Sequence, residues 1–453
     1  VVGQAEVAVH PRYLDGGGVE QDPDELLTSV LEAGRAALAQ AARPVAAVSL
    51  ANQGETVLAW DPDTGRPLTQ AIVWQDSRAE QLCAGLSDHA ELFAATTGLV
   101  LDPYFSAPKM AWLRRNVETA GVVTTSDSWL LHRLTGAFVT DATTASRSLV
   151  LELGGHQWSQ ELLELFGLAD ERLPAIVAND AVIGSTDAFG PDIPVGGIVV
   201  DQQAALLAEG CFDEGMAKCT FGTGAFLLAN TGANAVRSTH RLTSSLAWRL
   251  AGADTFCVDG QVYTAASAVR WLTALGIVTS AEEMDGFAAA DNNGVLCVPA
   301  FAGLAAPWWK SHATATLSGM TLATGRGQVI LAVLQGIAAQ IAELVTAIDA
   351  DAATPLTSLR ADGGLTQSAV LMQACADIAQ LPVEIYPSAH ATALGAAALA
   401  RLSLAPQQSV RDVVTAWQPA ATYQPRWTAS RAAEFRERWR RVAATTYPEQ
   451  EQA

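Results

Sequence analysis

The strongest sign of chemistry is an apolar strand that ends at a carboxylate, about twenty residues before a glycine-flanked threonine. The β-branched run 197–200 stops at Asp201, so the pattern predicts a carboxylate at a strand end, a usual place for chemistry. Gly222, Thr223 and Gly224 separate two short apolar runs and predict a hairpin. Glycines let backbone N–H groups approach an anion, and the threonine hydroxyl adds a donor. A base beside a phosphate cradle favours phosphoryl transfer.

A second glycine turn is predicted farther along the chain. The segment 359–378 reads as a short strand, then Asp362, Gly363 and Gly364, then a helix beginning near Gln367. Two glycines there let the backbone pass close to a flat ligand, and the helix N-terminus offers free N–H donors. Taken alone, each feature has a structural alternative, because a Gly-Thr-Gly hairpin and a strand-end aspartate are both ordinary.

Length and charge limit the classes of function. A chain of 453 residues predicts two domains of about 200 residues each. The net charge of −20, from 47 acidic and 27 basic residues, argues against a nucleic-acid partner or an anionic membrane surface. Six cysteines without a CxxC pair indicate reduced thiols in a cytosolic protein. Seven scattered histidines show no metal-ligand spacing, so no protein-built transition-metal site is predicted.

The elements predicted around these residues alternate between strand and helix. They are strands over residues 1–10, 45–50 and 56–60 and helices over residues 22–42, 126–134 and 260–275. This order is typical of a mixed α/β domain. The apolar run 329–348 is interrupted by Gln335, Gln340 and Glu343, which favours a buried domain helix over a membrane span.

Three motifs carry a resemblance to a known family. They are DQQAAL from Asp201, GMAK followed by FGTGAFLLANTG from Phe221, and ADGGLTQS from Ala361, in that order. Together they resemble the FGGY family of carbohydrate kinases and are most similar to its glycerol kinase branch, over nearly the whole chain. The resemblance implies an α/β fold of two ribonuclease-H-like domains, of the actin and hexokinase ATPase type, around a central cleft. Residues 1–208 would bind the polyol or sugar and residues 209–453 the nucleotide.

The resemblance implies a polyol site in the first domain. The family usually has an arginine where this chain has Gly54, and its residue at Glu55 hydrogen-bonds substrate hydroxyls. Chemically this is reasonable, because a carboxylate accepts from two hydroxyls at once. Trp74 would pack on the carbon chain, and a core aromatic is the alternative interpretation. The implied substrate contacts are Gly54, Glu55, Trp74, Tyr104, Asp201, Gln202 and Phe226.

The resemblance also implies ATP and Mg²⁺. Asp201 would be the general base and would help to hold Mg²⁺, while Thr223 would orient the phosphoryl group. Ala266 replaces a glycine of the family on the phosphate side, and Arg270 replaces a glutamine and offers a forked donor to phosphate. The implied nucleotide contacts are Gly222, Thr223, Gly224, Ala266, Arg270, Gly363, Gly364, Leu365 and Ser368.

Departures from the family keep a second hypothesis open, a non-catalytic relative that binds polyol or nucleotide without turnover. We expect the family's opening hairpin, with its Asp-x-Gly-Thr-Thr phosphate loop, ahead of Val1 and therefore missing from this sequence. Lys310 stands where the family commonly has aspartate, which predicts an altered loop. Residues 140–147 match the family and are interpreted as structural, with Asp141 as a satisfied turn carboxylate.

Gly54 also bears on the choice of substrate. Without the arginine, the pocket would lack a charged donor and gain volume, so we predict preference for a four- or five-carbon polyol or ketose, such as xylulose, over glycerol. The remaining expectations are a small-molecule substrate, no nucleic-acid partner, no membrane insertion, a cytoplasmic location and, as in relatives, a homodimer or homotetramer.

Overall fold

The first half of the chain folds into two main sheets flanked by helices. The computed structural model describes residues 1–41 and 43–447. The strands of this half are β1 (Arg12–Leu14), β2 (Gly18–Gln21), β3 (Val48–Asn52), β4 (Val57–Trp60), β5 (Ala71–Ile72), β6 (Val122–Thr125), β7 (Val139–Asp141), β8 (Ala175–Val177), β9 (Val182–Thr186) and β10 (Ile193–Val200). The helices are α1 (Pro23–Gln40), α2 (Glu80–Ala84), α3 (Ala90–Thr97), α4 (Ser106–Asn116), α5 (Ser126–Thr135), α6 (Ala142–Ala145), α7 (Gln160–Phe166) and α8 (Asp201–Ala208). The sheets have the orders β1-β2-β5-β4-β6 and β3-β10-β9, and β7 pairs with β8.

The second half is built on one seven-stranded sheet of order β13-β14-β12-β11-β17-β18-β19. Its strands, with the separate pair β15 and β16, are β11 (Ala217–Phe221), β12 (Ala225–Gly232), β13 (Thr243–Leu250), β14 (Ala253–Val262), β15 (Leu296–Val298), β16 (Thr316–Ser318), β17 (Leu359–Asp362), β18 (Val383–Ile385) and β19 (Thr422–Tyr423). The helices are α9 (Ala266–Ala274), α10 (Met284–Phe287), α11 (Arg326–Asp351), α12 (Ala369–Ala379), α13 (Ala391–Leu404), α14 (Val410–Val413) and α15 (Ala429–Thr445). Two α/β units therefore make up the described chain, as the resemblance predicted.

Helix α11 is the centre of the larger hydrophobic core. It is the one described helix that is long and apolar enough to span a membrane, with a mean hydropathy of 1.8 over its most apolar window, yet 83% of that window is buried in the protein. Core residues of the seven-stranded sheet and of α9, α12 and α15 pack in the same cluster. The prediction of a buried domain helix is thus confirmed.

Strand β10 and helix α8 position the predicted base. β10 pairs in parallel with β3, and α8 begins at Asp201 with no intervening loop. Helix α13 crosses α8 so closely that a Cβ on Gly395 would lie 1.9 Å from the carbonyl oxygen of Ala204. The small residues of α13 therefore serve packing, and that packing fixes the helix that starts with the base.

Two predicted elements are wrong, and both errors have a physical reason. Residues 1–10 form no strand, because the segment lies along α1, where the Gln4 N–H donates to the Gln40 side chain instead of to a neighbouring strand. Residues 260–262 extend β14, since they pair with β12, and the helix begins only at Ala266. The 22–42 helix is confirmed through Gln40 with Asp22 as its cap; its last predicted residue, Ala42, lies outside the described residues.

Replacing Gly395 by alanine tests how α8 is held. The added methyl collides with α8, so we expect a loss of about 1–3 kcal/mol in the free energy of unfolding and reduced turnover, because Asp201 moves with the helix. Urea unfolding and a kinase assay measure the two effects. The control is Gly286→Ala, where no atom lies within 4 Å of the added Cβ; it should stay within about 0.5 kcal/mol of wild type. Equal effects of the two substitutions would contradict this packing role.

Candidate active site

The carboxylate of Asp201 faces a cavity between the two halves of the chain. The cavity measures about 70 Å³, several times the roughly 10–15 Å³ that one water molecule needs. Its walls come from the β3–β4 turn, the start of α8, and strands β12 and β14. It brings together all seven predicted substrate-side residues: Gly54, Glu55, Trp74, Tyr104, Asp201, Gln202 and Phe226.

Three aromatic rings form one side of the cavity. Trp74 lies edge-on to both Tyr104 and Phe226, with ring centroids 5.7 Å apart in each pair. Trp74 is only half-buried and lines the cavity, so it is not simply a core aromatic. Such rings give an apolar surface for the carbons of a small ligand while polar groups opposite bind its hydroxyls.

Arg147 packs against this wall, with its guanidinium carbon 5.6 Å from the centre of the Tyr104 ring, and sequence reasoning missed it. Its Nε donates to Glu55 Oε1, and its Nη1 donates to Asp259 Oδ1 at 3.1 Å. A Cβ built on Gly54 would lie 3.9 Å from Arg147 Cδ, so this arginine occupies the corner next to the glycine. A charged side chain therefore lies at this corner, and the predicted preference for a four- or five-carbon substrate stays a prediction. Arg147 ends the segment 140–147, which is predicted to be structural, and its partners Glu55 and Asp259 lie 92 and 112 residues away along the chain.

The neighbouring Asp141 does have a structural role. It caps α6, accepting from the N–H groups of Thr143 and Thr144, and it also accepts from the Asn179 side chain at 2.9 Å. Its oxygens are thus committed to holding α6, which leads directly to Arg147.

Glu55 is held in an unusual backbone conformation. Its φ of 61° lies in the left-handed region, and the Thr56 N–H donates to the Gly54 carbonyl at 2.8 Å. Non-glycine residues adopt this region at a cost of about 1–3 kcal/mol and tend to cluster at functional sites. Burial raises the pKa of the Glu55 carboxyl, and the charge and hydrogen bond of Arg147 oppose that shift. The tight turn aims the carboxylate into the cavity.

The environment of Asp201 suits a general base. Burial raises the pKa of its carboxyl above the usual aspartate value, and the nearby Lys218 ammonium opposes the shift. Lys218 is fully buried and donates to Gln202 Oε1 at 2.5 Å and to Thr220 Oγ1 at 2.7 Å. A raised pKa makes a carboxylate a better proton acceptor near neutral pH.

The predicted hairpin is present between β11 and β12, with Thr223 exposed at its tip. The Gly222 N–H donates to the Gly224 carbonyl at 2.9 Å, so this donor is used within the turn. A Cβ on Gly224 would lie 2.5 Å from the Val262 carbonyl oxygen, which explains that glycine by packing. The Ala266 N–H donates to the Gly222 carbonyl at 3.1 Å and ties α9 to the hairpin.

The second glycine turn lies beside the hairpin, because β11 and β17 are parallel neighbours. Gly363 has a φ of 93°, and a Cβ there would lie 2.5 Å from the Phe221 carbonyl oxygen, so this glycine is required by packing. Gly364 has no atom within 4 Å of its Cβ position, which leaves its backbone open to a ligand. Ser368 caps α12 and donates to Asp285 Oδ1 at 2.5 Å. Both turns thus meet where parallel strands end, a usual ligand-binding edge.

Leu365 and Arg270, which are also predicted to contact the nucleotide, do not line the cavity at Asp201. Leu365 is buried in the main core, whereas Arg270 is exposed on α9.

Within residues 1–41 and 43–447 no group of three or more histidine, cysteine, aspartate or glutamate residues could hold a metal ion. All six cysteines are buried free thiols.

Family comparisons agree with this geometry. Residues 1–208 match the N-terminal domain of the FGGY family of carbohydrate kinases, and residues 217–404 match its C-terminal domain. The chain is 40% identical to a glycerol kinase from Aromatoleum aromaticum, covering 98% of this chain and 93% of that protein. It is 41% identical to a glycerol kinase from Trichlorobacter lovleyi, with the same coverage of both chains.

Solved structures give the same result. The crystal structure of Plasmodium falciparum glycerol kinase with ADP superposes with a TM-score of 0.89 at 30% identity, over 98% of this chain and 93% of that one. A xylulose kinase from Lactobacillus acidophilus shares the fold, with a TM-score of 0.85 at 21% identity, over 97% of this chain and 92% of that one. The chain therefore belongs to the FGGY family of carbohydrate kinases, in its glycerol kinase branch.

Proposed function

We propose that this carbohydrate kinase transfers the γ-phosphoryl group of ATP to a terminal hydroxyl of a small polyol, and that glycerol is its preferred substrate. The observation that carries the proposal is the cavity whose lining combines Asp201, a carboxylate of raised pKa, with the Glu55–Arg147 pair and three aromatic rings. A polyol needs hydrogen-bonding groups for its hydroxyls and an apolar surface for its carbons, and this cavity offers both.

The reaction follows from these groups. Asp201 accepts the proton of the terminal hydroxyl as the hydroxyl oxygen bonds to the γ-phosphorus and the bond from that phosphorus to the β,γ-bridging oxygen breaks, which releases ADP. Trp74 and Phe226 hold the carbon chain, so the reacting oxygen is oriented before the phosphoryl group arrives. Closure of the two domains would exclude water and limit ATP hydrolysis.

We place the nucleotide on the two glycine turns of the second half. We accordingly propose that residues 1–208 bind the polyol and residues 209–453 bind the nucleotide. Exposed Thr223 and open Gly364 support this placement. The further nucleotide contacts that we propose are Gly222, Gly224, Ala266, Arg270, Gly363, Leu365 and Ser368.

A magnesium ion carried by the nucleotide fits the residues present. Asp201 lines the cavity and hydrogen-bonds to the neighbouring Gln202, which leaves its carboxylate further acceptor capacity for a cation beside the phosphates of a bound nucleotide. Mg²⁺ is usually held by one or two carboxylates with phosphate oxygens and waters, and it would offset phosphate charge.

We also infer a cytoplasmic enzyme, because all six thiols are free and buried. Assembly as a homodimer or homotetramer stays a prediction.

The first test of this function is Asp201→Asn. We expect turnover to fall by about 10²-fold or more while the polyol still binds, because asparagine keeps the shape but cannot accept the proton. ATP consumption with glycerol measures turnover, and calorimetry without ATP measures binding. Both assays use residues 1–453.

The control for this variant is Asp213→Asn, which removes an exposed carboxylate paired with Arg411. It should leave turnover unchanged. Normal turnover by the Asp201→Asn enzyme would show that this carboxylate is structural.

The raised pKa of Asp201 predicts an acid limb in the pH profile. The base acts only as a carboxylate, and a raised pKa means that protonation occurs above the ordinary aspartate value of about 3.9, so kcat/KM should fall as the pH decreases while the protein is still folded. The measurement is kcat/KM for the polyol from pH 4 to 9, with the fold checked by circular dichroism at each pH. A flat profile down to pH 4 would rule out this base.

A substrate panel decides between glycerol and longer polyols. The small cavity and the arginine beside Gly54 lead us to expect that kcat/KM for glycerol exceeds that for erythritol, threitol, ribitol and xylulose by about tenfold or more, the effect of roughly 1.4 kcal/mol. A clear lead for a four- or five-carbon substrate would instead support the preference suggested by the sequence. No turnover of any substrate would favour the non-catalytic hypothesis.

A further inference from the structure

A fully buried lysine lies between the strand that leads to the Gly-Thr-Gly hairpin and the helix that begins at Asp201. In β11 the odd-numbered side chains pack in the main hydrophobic core, so Lys218 and Thr220 lie on the opposite face of the strand. Lys218 is 0% exposed. A charged amine is costly to bury, and lysine is rarely fully buried without a partner that requires it. The position therefore indicates a specific role for the charge.

The Lys218 ammonium binds two neutral oxygen atoms. Its Nζ donates to Gln202 Oε1 at 2.5 Å and to Thr220 Oγ1 at 2.7 Å. An ammonium has three donors and no acceptor, so the atom of the Gln202 amide that faces it must be the oxygen. The amide nitrogen of Gln202 therefore points away from Lys218.

The Gln202 amide also acts on the neighbouring carboxylate. Gln202 and Asp201 both line the cavity, whereas Lys218 does not. Burial raises the pKa of the Asp201 carboxyl, and the Lys218 ammonium and the backbone and side-chain hydrogen bonds of Gln202 oppose that shift. The amide nitrogen has two N–H donors, so one serves Asp201 and the other remains for a ligand in the cavity.

We propose that Lys218 is a positioning residue for the polyol, because its ammonium holds the Gln202 amide with the nitrogen toward the cavity and so makes residue 202 a donor to a substrate oxygen. The inference rests on the proposed function and extends it, since it assigns a role to a buried residue behind the cavity wall. Without the ammonium, the amide is free to turn and to present its oxygen to the Asp201 carboxylate, where two acceptors repel each other. An amide that is already oriented spares the polyol the entropic cost of ordering it.

The test measures glycerol binding by calorimetry without ATP, because loss of stability alone does not change the affinity of the protein that remains folded. Lys218→Met removes the ammonium, and we expect it to weaken glycerol binding about tenfold, the usual effect of losing one hydrogen bond. Arginine is also a donor without an acceptor, so Lys218→Arg should bind glycerol within about threefold of wild type.

A double-mutant cycle shows whether Lys218 acts through Gln202. Adding Lys218→Met to Gln202→Met should change the affinity for glycerol by less than about twofold, because the amide that the lysine holds is already gone. The control is Lys109, another lysine that is 0% exposed, whose Nζ donates to the carbonyls of Pro103 at 2.9 Å and Phe105 at 2.7 Å. Lys109→Met should have the same effect on the affinity in wild type and in Gln202→Met.

The inference is overturned if Lys218→Met binds glycerol as wild type does, or if its effect is the same with and without the Gln202 amide. If the methionine variant does not fold, Lys218→Gln replaces it. Glutamine keeps both hydrogen bonds but also accepts, so this variant should bind glycerol at least about threefold more weakly than Lys218→Arg. Equal affinities of these two variants would then overturn the inference. If wild type binds no glycerol, the proposed function itself fails.

Discussion

A guanidinium buried between two carboxylates links the residues that line the cavity beside Asp201. Arg147 and Glu55 belong to the first half of the chain and Asp259 to the second, so the same charge network shapes the cavity and joins the two halves. Burying three charged groups is costly, and removing one partner of such a network typically costs about 3–5 kcal/mol because the others remain desolvated and unpaired. The turn at Glu55, with its left-handed backbone, is held in part by this network.

The rest of the fold sets the positions of Asp201 and of the two glycine turns. β10 ends and α8 begins at Asp201, and the close crossing of α13 over α8 fixes the direction of the helix. On the other side, the parallel strands β11 and β17 end together and present Thr223 and Gly364 at one edge of the seven-stranded sheet. In the proposed function, a polyol in the cavity and a nucleotide on this edge meet at the carboxylate of Asp201.

Local sequence patterns predicted the parts of this arrangement that depend on local chemistry. A β-branched run before Asp201, two glycine turns and an apolar helical stretch can each be recognised from a short stretch of sequence. The structure contains all of them. Arg147 could not be found in this way, because its partners are distant in sequence and an arginine after a short helix has no special pattern. Residues 1–10 alternate like a strand, but whether a strand forms depends on a neighbouring strand, which the local pattern does not reveal.

The sequence also does not reveal which glycines of the two turns are required by packing and which are open to a ligand. Gly224 and Gly363 are required by neighbouring carbonyl groups, whereas Gly364 is open, and only the packed strands distinguish these cases. The resemblance located the turns correctly, but the close contacts decide which backbone group a ligand can reach.

The most direct test of the account is a crystal structure of the protein with glycerol and a non-hydrolysable ATP analogue. We predict a terminal hydroxyl of glycerol within about 2.6–3.2 Å of an Asp201 oxygen, its neighbouring hydroxyls on Glu55 and Arg147, and the terminal phosphate beside Thr223. Glycerol bound outside this cavity, or a terminal phosphate remote from Asp201, would contradict the account.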